Sequence, residues 1–332
     1  MIQTTPLRIG GLAAGLLLML LLVWASIVFG LTDITTRMVV DSVYRFDSSN
    51  EHIIIRDARI PRALIAAAVG ASLAVAGAIM QGLTKNPLAS PSIFGINAGA
   101  SFFVVLGISF FGTASLNAFT WLAFTGAALA AVIVYTCGSM GRDGLTPVKL
   151  TLAGAAIAAL FSSMTQGILT LDERALDQVL FWLAGSVQGR ELELLIAVLP
   201  YLLGGLVFAL FMGKQMNVLQ MGEDLATGLG QKTILVKLTG AAVVVLLAGS
   251  SVAIAGPIGF IGIIIPHIAR WLVGIDYRWV IPYSALLGAM LLLAADISAR
   301  YIIMPAEVPV GVMTAAIGAP FFVWIARRGI SE

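Results

Sequence analysis

Ten apolar segments, each close to the length that crosses a bilayer, follow one another with little between them. They lie near 9–31, 60–81, 92–111, 115–137, 148–171, 192–212, 234–255, 257–273, 280–303 and 308–326. A helix needs about 20 apolar residues to span the hydrocarbon core. The first segment, Ile9 to Leu31, has 23 residues and no charge. It is too long for a signal-peptide core, and no small-x-small cleavage site follows it. Ten spans use about 200 residues of the 332. The loops that remain are too short for a soluble catalytic domain. Composition closes the alternatives. Asp, Glu, Lys and Arg make up 11% of the chain, against about 25% in soluble proteins. Such a surface does not suit a soluble enzyme or a nucleic-acid binder. The expected fold is an all-α polytopic membrane protein, one transmembrane domain over 1–332 with about ten helices. The eighth segment, with Pro257 and Pro266, reads as short or broken.

The charges orient the chain, because cytoplasmic loops carry the excess of Lys and Arg. With the N-terminus inside, all five lysines (Lys85, Lys149, Lys214, Lys232, Lys237) fall inside, with Arg8, Arg142, Arg270, Arg278, Arg327 and Arg328. Arg37, Arg45, Arg56, Arg59, Arg62, Arg174, Arg190 and Arg300 fall outside, with twelve of the seventeen acids. Both termini are therefore expected in the cytoplasm.

An internal repeat accompanies this pattern. Residues 70–79 read GASLAVAGAI and 249–258 read GSSVAIAGPI, identical at six of ten positions. A weaker echo joins Pro147-Val148 and Ala155-Ala156-Ile157 to Pro309-Val310 and Ala315-Ala316-Ile317. Each pair lies five spans apart, so its members run in opposite directions. Inverted repeats are a common transporter plan, with the pathway between the halves. Shared apolar composition is the competing explanation.

Ion-coupled carriers keep ionisable groups in mid-membrane. Here the interior is nearly free of them. Asp296, near the outer end of span nine, could pair with Arg300 at i+4. The chain has no G-x-x-x-x-G-K-[ST] loop; Gly228-Leu-Gly-Gln-Lys-Thr233 has Gln231 where the second glycine should precede lysine. ATP, if it drives transport, must bind a separate subunit. One cysteine, Cys137, excludes an internal disulfide. No metal or cofactor set is visible, and His267 in Pro266-His267 reads as a helix-end hydrogen bonder.

The longest inner loop, 213–233, reads GKQMNVLQMGEDLATGLGQKT. Glu223 and Asp224 suit a helix N-terminus. Leu225, Ala226 and Leu229 would share one face, and Gly228 and Gly230 would end the helix. Either a surface helix or a docking peg for a cytoplasmic motor would look so. The outer segment 173–190 is too short to span. Leu176, Val179, Leu180 and Leu183 would form its apolar face, with Trp182 at the membrane interface.

The string Met221-Gly-Glu-Asp-Leu-Ala-Thr-Gly-Leu-Gly230 resembles the coupling segment of FecCD-type permeases. These are membrane subunits of ATP-binding-cassette importers for ferric siderophores, haem and vitamin B12. Arg59-Ile-Pro-Arg62, Lys85-Asn-Pro-Leu-Ala-Ser-Pro-Ser-Ile-Phe-Gly95, Phe181-Trp-Leu-Ala-Gly-Ser186, Ala255-Gly-Pro-Ile-Gly-Phe-Ile-Gly262, Pro266-His-Ile-Ala-Arg270, Ala295-Asp-Ile-Ser-Ala-Arg300 and Gly318-Ala-Pro-Phe-Phe322 agree, in family order.

The resemblance implies a vitamin-B12-permease-like fold paired with a second permease subunit, identical or homologous. It implies two cytoplasmic ATP-binding subunits, which hold the ATP and Mg, and an extracytoplasmic substrate-binding protein. Arg59, Arg62 and Arg300 take the place of the binding-protein docking arginines. Gly222, Glu223, Asp224, Leu225, Ala226, Leu229 and Gly230 take that of the ATPase coupling segment. Met164, Thr165 and Gln166 are candidate pathway residues. The expected cargo is a ferric siderophore moved across the cell membrane into the cytoplasm. Vitamin B12 or haem is the alternative cargo, and an ion-coupled secondary carrier the alternative class.

Overall fold

A computed structural model describes residues 4–111, 116–140, 146–171 and 179–328. Arg142 and Arg174, and Leu176 of the outer segment, lie outside the described residues. The elements are α1 (Thr5–Val28), α2 (Thr36–Tyr44), α3 (Asn50–Thr84), α4 (Ile96–Phe111), α5 (Leu116–Ser139), α6 (Pro147–Leu171) and α7 (Leu192–Phe211). They continue with α8 (Gly213–Gln220), α9 (Glu223–Gly228), α10 (Thr233–Ala255), α11 (Ile261–Val273), α12 (Tyr277–Ala299) and α13 (Val310–Arg328). Each of the ten predicted segments coincides with a helix. Among the described residues, seven helices are long and apolar enough to cross a membrane.

The helices that begin late share a cause. α4, α11 and α13 follow irregular stretches that contain Pro87 and Pro91, Pro257, and Pro305 and Pro309. The residue before a proline is pushed out of helical geometry. So the eighth span starts at Ile261 rather than at 257, and the tenth at Val310 rather than at 308. Irregular backbone at membrane depth must be satisfied by protein. Here Asn97 Nδ2 donates to the Ile258 carbonyl, Ser186 N to that of Ala255, and Gly311 N to that of Gly185.

α3 is the central strut and packs against α12, α10, α11 and α7. Most of its apolar window is buried, whereas that of α1 is largely exposed. Small residues let backbones touch where little hydrophobic drive separates helix contact from lipid contact. A Cβ at Gly77 would lie 2.1 Å from the Gly262 carbonyl oxygen of α11, and one at Gly99 2.5 Å from that of Gly126 on α5.

The packing repeats as the sequence does. Shifting each span by five maps α3·α12 onto α10·α5, α3·α11 onto α10·α4, α4·α5 onto α11·α12, and α4·α6 onto α11·α13. α3 and α10, which carry the duplicated string, also pack on each other. A shift of five spans, an odd number, sets the two halves in opposite directions where each span crosses once, which is the inverted-repeat plan.

Candidate functional site

At the end of the bundle where α1 terminates, that helix stops with no basic residue in its last turn. The last carbonyls of a helix have no partner within it and form the negative end of its dipole. Two arginines from elsewhere supply the donors. Arg59 Nη1 donates to the carbonyls of Ile27 (2.9 Å) and Val28 (2.6 Å), and Nη2 to that of Thr32 (2.6 Å). Arg300 Nη1 donates to the carbonyls of Ser26 (2.6 Å) and Phe29 (2.7 Å), and Nη2 to Ser26 Oγ and to Asp296. Glycine at 30 leaves room, since a Cβ there would lie 2.7 Å from Arg59 Nη2. A π-helical stretch, Ile54–Arg59, brings Ile55 and Arg59 to the buried side of α3.

Arg62 joins the same cluster. Its Nε and Nη2 donate to the Asp296 carboxylate at 3.0 and 2.8 Å, and its Nη1 pairs with Glu307 at 2.7 Å. Asp296 is 1% exposed and carries two guanidinium groups. The expected i+4 pair of Asp296 and Arg300 is present, and Arg62 adds a bond across to α3. Arg59 and Arg300 are buried and committed to internal acceptors, and Arg62 retains only a rim of exposure. Among the described residues, Arg37, Arg45 and Arg56 are exposed arginines of the segments beside this cluster. Glu307 and the end of α1 are functional partners that the sequence reading missed. The signal was the lack of any donor near the end of α1.

At the opposite end, α9 follows Gly222 (φ +124°) and carries Glu223 and Asp224 in its first turn. It closes as a Schellman turn: Gln231 N donates to the Ala226 carbonyl and Gly230 N to that of Thr227, with Gly230 at φ +81°. That left-handed position is why glycine stands there. Leu225 and Leu229 are exposed, whereas Ala226 is fully buried against the bundle. Ala226 therefore belongs to the inward face, because a residue one step along a helix turns about 100° away. Glu223 is held by Lys237 of α10 at 2.8 Å. Asp276 caps α12 through Arg278 N, and its carboxylate also accepts from the Arg278 side chain and from Asn217. Those bonds, Arg278 foremost, hold its pKa at about 2.

The pathway candidates divide. Met164 and Gln166 are exposed on α6, but Thr165 is buried and its hydroxyl donates to the Phe161 carbonyl of its own helix. Trp182 is also buried, against Gly256, rather than at a membrane interface. His267 packs edge-on against Trp271, with ring centroids 4.6 Å apart, which replaces the expected helix-end hydrogen bond.

A bundle of apolar helices, seven of them among the described residues long and apolar enough to cross a membrane, defines an integral membrane protein. The profile of the FecCD transport family matches residues 17–328, and the chain belongs to that family. It is 63% identical over 312 residues, 94% of each chain, to the Bacillus subtilis (strain 168) protein described as "Probable siderophore transport system permease protein YfiZ". It is 43% identical to the ferric enterobactin transport system permease protein FepD of Escherichia coli (strain K12), over 95% of this chain and 94% of that one. A solved inward-facing ABC transporter of the metal-chelate type superposes with a TM-score of 0.82 at 29% identity, covering 96% of this chain and 98% of the other.

Proposed function

We propose that this chain is the permease subunit of an importer that moves a ferric siderophore into the cytoplasm, driven by separate ATP-binding subunits. The observation that carries the cargo is the 63% identity, over 94% of both chains, to a siderophore-system permease. The geometry supports the mechanism. Leu225 and Leu229 of α9 project from the bundle as a motor contact. α6 and α13 present exposed Val148, Leu152, Leu160, Val312, Ile317 and Val323. That apolar surface suits a second permease subunit, with the cargo passing between the two copies near Met164 and Gln166. ATP binding on the motor would favour one packing of the halves over the other, which is alternating access by population shift.

A delivery protein would meet the outer mouth first through Arg37, Arg45 and Arg56. Arg62 becomes available only when its pair with Glu307 opens. Exposed arginines of this kind steer encounter more than they add affinity.

The test is uptake in cells that lack their own siderophore permeases but hold the ATP-binding subunit and binding protein. Accumulation of iron-labelled siderophore, dependent on a hydrolysis-competent motor, is the expected result. Uptake of labelled vitamin B12 or haem instead would replace the cargo. Uptake that persists without any ATP-binding subunit would favour an ion-coupled carrier.

A further inference from the structure

The end of the bundle that carries α9 also holds a cavity of about 560 Å³, lined by Gln81, Lys85, Asn217, Met221, Arg270 and Tyr277 among others. Its wall is made of helix ends. α3 closes in a left-handed turn at Lys85 (φ +50°), Arg270 lies in the last turn of α11, and Asp276 caps α12.

The charges of the cavity do not balance. Lys85 is exposed and has no ionic partner among the described residues. Arg270 Nη2 donates to Gln81 Oε1 at 2.6 Å, and its other neighbour is the Tyr277 hydroxyl; neither is an anion. Asp276 also lines the cavity, but its carboxylate is already occupied by the Arg278 fork and by Asn217 Nδ2 at 2.6 Å. The amides of Gln81 and Gln220 are turned into the wall, donating to the carbonyls of Gly262 and Gly82. Two cations thus share a recess without a counter-charge. A carboxylate placed between them would gain charge-assisted hydrogen bonds.

The rim indicates who brings it. Met221 and Ile275 are 61% and 82% exposed, and the apolar surface continues from Met221 to Leu225 and Leu229 of α9. Contacts that surround an interface hot spot exclude water from it, and an apolar rim would do so for a charged pair seated here. We propose that this cavity receives an acidic side chain of the ATP-binding subunit, seated between Lys85 and Arg270 while α9 rests beside it. This deepens the function proposed above and rests on its assignment of α9 as the motor contact.

The test uses the full-length permease in nanodiscs of zwitterionic lipid, with its ATP-binding subunit titrated in. Lys85→Glu should weaken association about 10-fold to 100-fold at low salt, as expected for a close charge pair at an interface. Lys85→Gln should weaken it less. Both losses should shrink at high ionic strength. Lys85 packs into no core, so each variant folds. Leu225→Asp on α9 is the control for the underlying assignment. If it abolishes association while Lys85→Glu leaves it unchanged, α9 remains the motor contact and the acidic-residue pocket is wrong. If neither variant changes association, both assignments fall. If Lys85→Glu leaves association intact but lowers the phosphatidylglycerol that co-purifies from cells, the recess is a lipid headgroup site and the proposal is overturned.

Discussion

Two helix crossings that the repeat makes equivalent are built from different materials. α3 crosses α12, and α10 crosses α5. Gly70 and Gly249 hold the same place in the duplicated string. A Cβ at Gly70 would lie 2.3 Å from the Gly288 carbonyl oxygen, which is backbone. A Cβ at Gly249 would meet the Phe124 ring at 2.7 Å, a side chain that can turn. The first crossing is also tied, at the C-terminal end of α12, by Arg62, Asp296 and Arg300. The second has no such tie, because α5 contains no charged residue. Helices in lipid are held by packing and polar contacts, so this difference bears on how easily each crossing shifts. The tied crossing suits a fixed frame. The untied one includes α10, which Lys237 links to α9.

The sharpest way to break the comparison is to remove the tie. Asp296→Ala leaves Arg62 and Arg300 in a site where the carboxylate was 1% exposed. Stripping one partner from a buried ion pair costs about 3–5 kcal/mol. The loss should show as a large drop in thermal stability of the detergent-solubilised protein. A loss below about 1 kcal/mol, the range of exposed pairs, would mean that the cluster is solvated and that the two crossings are alike.

The glycines test the same contrast in the middle of the helices. Gly70→Ala drives a methyl into backbone that cannot rotate away, and overpacking of this kind costs about 1–3 kcal/mol. Gly249→Ala should cost less, because the Phe124 ring can move. Equal losses in thermal unfolding would remove the distinction between frame and moving part.

What could be read beforehand follows the same division. The helices were legible because membrane burial imposes length and apolarity on each one. The repeat was legible because small residues recur wherever backbones must touch. Of the arginine cluster only the i+4 pair of Asp296 and Arg300 was legible. Arg59 and Arg300 bond chiefly to backbone carbonyls of residues 26–32, and a carbonyl acceptor leaves no mark on residue identity. The contact of Arg62 with Asp296 was hidden for a related reason, since the two lie 234 positions apart. In α9 the closing glycines were legible, since Gly228 is its last residue and Gly230 adopts positive φ, whereas the positive φ of Gly222 before it was not read. The inward direction of Ala226 was not, because a six-residue helix carries too little periodicity to fix its face.

α12 supplies its own control for the first prediction. Asp296 sits near one end and Asp276 caps the other. Asp276→Ala removes an N-cap, a loss of about 1 kcal/mol, well below that of Asp296→Ala. The pH dependence has a definite sign. The folded-state pKa of Asp276 is depressed to about 2, so its contribution is complete above the unfolded value of about 3.9. It fades as pH falls through the interval toward 2. Acid unfolding of the wild type should therefore show a loss in that interval that Asp276→Asn lacks. Identical acid profiles would show that the cap is not formed.

The smallest stability effect should accompany a large functional one. Glu223 and Lys237 join α9 to α10 at 2.8 Å, with Glu223 half exposed. Such a pair contributes about 0–1 kcal/mol, so Lys237→Ala should leave the melting temperature almost unchanged. Its place is what matters, because it links the proposed motor contact to the helix of the untied crossing. Lys237→Ala and Glu223→Ala should each lower siderophore uptake per ATP hydrolysed while the motor still binds through Leu225 and Leu229. The double variant should be no worse than either single one, since both cut the same link. Additive losses would mean that the two residues act separately. Normal coupling in all three would place the moving part elsewhere and leave the untied crossing without a role in transport.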